Sequence, residues 1–77
     1  MDIQLHQQAR QAISRLLRPL IRLLLRYGIE FEEFASVAKQ HYVSIAQAEF
    51  SLTRRPASKS RIALLTGLNR REVARLL

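Results

Sequence analysis

Seventy-seven residues carrying a net charge of +7 and no cysteine exclude a large buried core, a disulfide framework and a cysteine-ligated metal site. A hydrophobic fraction of 48% with only two glycines and two prolines excludes a disordered or turn-rich chain. The long Leu/Ala/Arg/Gln runs instead point to an all-α fold.

Residues 3–17, IQLHQQARQAISRLL, place Ala9, Ala12, Ile13, Leu16 and Leu17 at three- and four-residue spacing, the mark of one apolar helical face. Asp2 is a candidate cap. Pro19 either kinks this helix or opens a new one at its first turn, where a missing N–H costs nothing. The second option is favoured, giving a helix from Pro19 to Tyr27 that Gly28 ends in a left-handed conformation. Arg15, Arg18, Arg22 and Arg26 form a basic face opposite leucines. Such a stripe suits a membrane surface, phosphate contact or plain solvent. Because the domain needs these leucines for its core, solvent is favoured and no membrane contact is expected.

Residues 31–49 form the next predicted helix, with Phe31, Phe34, Val37, Ala38, Tyr42, Ile45 and Ala46 facing inward and Glu32 and Glu33 in a first turn that favours acids. SLTRRPAS, residues 51–58, reads as a loop, since Pro56 discourages helix at Arg55. Ser58 or Ser60 can then cap a short helix ending at Leu65 or Thr66. After Gly67, which supplies the positive φ of a sharp turn, Asn69 and Glu72 form an N-x-x-E capping pattern that starts a final helix at Arg70. The expectation is one domain of four or five helices over residues 1–77.

Residues 58–77 read as a C-terminal helix-turn-helix: supporting helix 58–66, glycine turn, recognition helix 70–77. Ile62 and Ala63 sit five and four residues before the glycine, Ala63 lets the helices cross closely, and Leu68, Val73 and Leu76 supply the shared core. Thr66 departs from the pattern, because an apolar residue is commoner before the glycine.

Charge points the same way. Residues 1–53 hold six basic and five acidic groups, net +1, whereas residues 54–77 hold seven basic groups against Glu72 alone, net +6. This asymmetry implies an anionic partner for the C-terminal third. Arg70, Arg71 and Arg75 are candidates for base or adjoining phosphate contact, and Arg54, Arg55, Lys59 and Arg61 for backbone contact. The predicted function is sequence-specific binding of double-stranded DNA, with a homodimer expected because one module touches few bases. Residues 3–17 are the candidate dimer surface. The alternative is a helical assembly module that binds an acidic protein.

The segments LRPLIRLLLRYGIEFEEFASVAKQHYV (17–43) and SRIALLTGLNRREVARL (60–76) resemble a family of uncharacterised bacterial proteins with a helix-turn-helix near the N-terminus. The resemblance implies a DNA-binding regulatory module. It also implies that the chain is a solitary N-terminal module or a piece of something longer, since the family's members exceed this length.

Other chemistries find little support. His6 and His41 lack neighbours at metal-ligand spacing, and Glu30, Glu32 and Glu33 have no nucleophile or histidine beside them. No phosphate loop or dinucleotide-binding glycine pattern is present. Phe31, Phe34, Phe50, Tyr27 and Tyr42 do not interleave with the basic cluster, so they read as core or staple residues rather than as a base-stacking platform. Neither an enzyme, a metal, a cofactor nor a small-molecule ligand is expected. The start MDIQLHQQAR lacks a basic segment followed by an apolar block, so no secretory leader is expected and the cytoplasm is the expected location.

Overall fold

The computed structural model describes residues 3–49 and 58–77. These residues form four helices and no strand: α1 (Ile3–Arg26), α2 (Phe31–Glu49), α3 (Lys59–Thr66) and α4 (Arg70–Leu76). The all-α class predicted by composition is therefore observed. The chain divides into two compact units, one ending at Phe31 and the other spanning Glu32–Leu77.

The first unit is built on α1, which is a single helix of 24 residues with Pro19 inside it. This corrects the expectation of a second helix opening at Pro19. The proline leaves the Arg15 carbonyl without its helical donor. Arg15 and Pro19 are both exposed, so water can reach that carbonyl and the break is tolerable. Gly28, at φ 73°, ends the helix as predicted. Its N–H donates to the Leu25 carbonyl at 3.2 Å and that of Ile29 to the Leu24 carbonyl at 2.9 Å, the paired bonds of a Schellman cap. Asp2 lies outside the described residues. No residue of α1 is buried, contrary to the expectation that its leucines serve the core, since one amphipathic helix has no interior of its own.

The second unit has a small core of four buried residues: Val43 and Ala46 from α2, Ile62 from α3 and Val73 from α4. Ala63, Leu68 and Leu76 pack against it. Burial of each large aliphatic side chain contributes about 1.5–3 kcal/mol, so Val43, Ile62 and Val73, the largest side chains fully enclosed, hold the three helices together.

The inward face of α2 differs from the predicted one. Val43, absent from the predicted row, is buried, while Phe31, Val37, Tyr42 and Ile45 are exposed. The reason is that α2 carries two apolar rows. Val43 and Ala46 face the α3–α4 pair, and the row of Ala38, Tyr42 and Ile45 lines an open groove of about 440 Å³ shared with Leu65. Periodicity finds an apolar row but cannot rank two of them by burial.

Pro19→Ala should restore the missing bond in α1 and raise the thermal midpoint seen by circular dichroism, a gain of up to about 3 kcal/mol. A lower midpoint would mean that the chain depends on the break.

Candidate nucleic-acid interface

The basic C-terminal segment folds as a corner. Ser58, extended at φ −69° and ψ 160°, caps α3 by accepting a bond from the Arg61 N–H at 3.1 Å. This chooses Ser58 over Ser60. The helix closes at Gly67, whose φ of 78° is left-handed and whose N–H donates to the Ala63 carbonyl at 2.9 Å. A Cβ at Gly67 would meet nothing within 4 Å, so the requirement for glycine is conformational rather than steric.

Thr66 explains its own departure from the expected pattern. Its hydroxyl donates to the Ile62 carbonyl at 2.8 Å and accepts from the Leu68 N–H at 3.2 Å. One side chain thus adds a second bond to a carbonyl already in the helical ladder and serves a donor within the turn that an apolar residue would leave to water. Leu68 is half-buried against the core, in the plugging position read from sequence.

Asn69 caps α4 as predicted, its Oδ1 accepting from the Glu72 N–H at 2.8 Å. The Glu72 side chain does something different from closing a capping box. Its Oε1 accepts from Lys39 Nζ on α2 at 2.8 Å and from an Arg75 guanidinium nitrogen at 3.2 Å. The Lys39 contact joins residues 33 positions apart, and no local spacing reveals it.

The hydrogen bond from Lys39 is the main reason the Glu72 carboxyl is held below the usual carboxylate range, helped by the charges of Lys39 and Arg75 and opposed by desolvation. A depressed folded-state pKa stabilises the fold above the unfolded value, and that contribution fades as pH falls through the folded one.

The candidate contact residues separate into groups. Arg70 and Arg71 are exposed at the start of α4, and neither has an ion pair among the described residues. Helical periodicity turns Arg71, Ala74 and Arg75 away from Val73 and Leu76. Arg75 is 70% exposed but tethered to Glu72. Lys59 is exposed as the first residue of α3, and Arg61 two positions later is half-buried. Arg54 and Arg55 lie outside the described residues. Sequence reasoning missed Lys39, brought to this corner only by tertiary packing.

Replacing Thr66 with Val should cost about 1 kcal/mol by leaving the Leu68 N–H without its partner, whereas Thr66→Ser should stay close to the parent in thermal melts. A Val variant as stable as the parent, or a Ser variant that loses as much as Val, would remove the hydroxyl bonds as the deciding contribution. For Glu72, the midpoint should drop on acidification below about pH 4.3, the ordinary glutamate value, and drop less in Glu72→Gln. Identical acid sensitivity in the two proteins would remove the ion pairs as its source.

A family model described as a family of unknown function, DUF6502, matches residues 7–77, and the chain belongs to that family. Neither the curated proteins nor the solved structures contain a match. Among the described residues, no helix is long and apolar enough to cross a membrane.

Proposed function

We propose that this member of the DUF6502 family is a sequence-specific DNA-binding domain of a bacterial transcriptional regulator. In this reading α3, the turn and α4 act as a helix-turn-helix, and α4 enters the major groove. One observation carries it: two short helices meet at a left-handed glycine, with Ile62 and Val73 fully enclosed, while the outer face of the second helix presents arginines. A solvated corner needs the first feature but gains nothing from the second.

The roles follow from position. Arg70 and Arg71 reach base edges or the adjoining phosphates, where a guanidinium can pair in bidentate fashion with guanine. Arg75, Lys59, Arg61, Arg54 and Arg55 contact the backbone, which fixes register without reading sequence. A single module touches few bases, so the reading includes a homodimer on a site of two halves.

The test is fluorescence anisotropy on a pool of labelled genomic duplexes, with the parent and an Arg70/Arg71/Arg75→Ala variant at two salt concentrations. Saturable binding that falls with salt, prefers some sequences and disappears in the variant is the expected result. Failure of the parent to bind any duplex would leave the corner to the alternative role, assembly with an acidic protein. Singly, Arg71→Ala should cost about 1–3 kcal/mol on a preferred site and flatten the preference, while Lys59→Ala should weaken every duplex alike and reduce the salt slope by about one. Equal losses on all sequences for both would remove that division of labour.

A further inference from the structure

Within residues 58–77 the acidic group is Glu72 alone, set among five basic residues. Its carboxylate does not reach back to close a capping box on α4, whose cap rests on Asn69 Oδ1 accepting from the Glu72 N–H. Instead Oε1 gathers two cations, Lys39 from α2 and Arg75 from the next turn of α4. Ion pairs this open to solvent add little to stability. Their effect on an approaching polyanion is larger: Lys39 and Arg75 would present two positive charges, but with Glu72 between them this flank carries +1, and both cations are already engaged.

We propose that Glu72 is a specificity-determining residue of the α3–α4 interface, one that withholds Lys39 and Arg75 from the phosphates of arbitrary duplex. The inference rests on the DNA-binding reading above. A phosphate can recruit these cations only by displacing the carboxylate, which is then left facing another negative charge. On a preferred site the base contacts of Arg70 and Arg71 compensate for that cost. On any other sequence those contacts are missing, and the flank contributes little. Non-specific affinity is set by the number of phosphates neutralised, so removing two cations from the count lowers it more than specific affinity. A repulsive element of this kind discriminates by acting against the wrong partner. Lys39 thereby becomes part of the interface, held next to α4 from a helix that the linear sequence places far away.

The experiment compares the parent chain, Glu72→Gln, and Glu72→Gln combined with Lys39→Gln, each checked by circular dichroism to be folded. Each is titrated into a preferred duplex and a random-sequence duplex. Glu72→Gln should bind random duplex more tightly than the parent at low salt. Between about 50 and 200 mM salt it should lose an additional tenfold or so in affinity, the equivalent of two more phosphate contacts. Its preference for the selected site should shrink. Adding Lys39→Gln should remove about half of the extra salt dependence on the logarithmic scale. If the parent binds and Glu72→Gln shows the same salt dependence on random duplex, the inference is overturned and the DNA-binding reading stands. A gain of equal size on both duplexes overturns it as well. If the parent binds no duplex at any salt, the reading and the inference fall together.

Discussion

The C-terminal unit depends on the left-handed turn at Gly67. That residue reverses the chain so that Val73 of α4 comes back over Ile62 of α3, and both side chains disappear from solvent. Helices of eight and seven residues are too short to persist alone in water. Their stability has to come from contact with each other and with Val43 and Ala46 of α2. The turn is what permits that contact, and Thr66 and Asn69 supply the hydrogen bonds that end one helix and begin the next.

The same geometry divides the surface of α4. Its inner side is committed to the core, so its charged residues have only the outer side and flanks to occupy. Glu72 stands at the boundary between those regions, close enough to α2 to take Lys39 and close enough to Arg75 to tether it. A carboxylate in that place does two things at once. It links α4 to Lys39 of α2, and it offsets part of the positive charge beside that helix. The depressed Glu72 pKa and the restrained cations are two consequences of one cluster.

The first unit follows a different logic. A helix of 24 residues continues through Pro19, and it stops where Gly28 permits a Schellman cap. Its leucines gather on one side, yet none of its residues is buried. Amphipathicity states that a face wants cover; it does not say from where.

Local chemistry alone determined the all-helical class, the Gly28 and Gly67 stops, the cap at Asn69, and the inward placement of Leu68, Val73 and Leu76, because each depends on neighbours within a few residues; it narrowed the cap of α3 to Ser58 or Ser60. The concentration of charge beyond residue 53 is likewise a property of the chain order. Tertiary structure decided the rest. Pro19 could end a helix or sit within one, and the folded chain places it within one. Two apolar rows competed on α2, and the one that met α3 and α4 became the core. Lys39 reached Glu72 across 33 positions, a contact that no periodicity encodes. Propensity and capping act over one or two turns of helix, whereas burial and ion pairing depend on which surfaces the folded chain brings together.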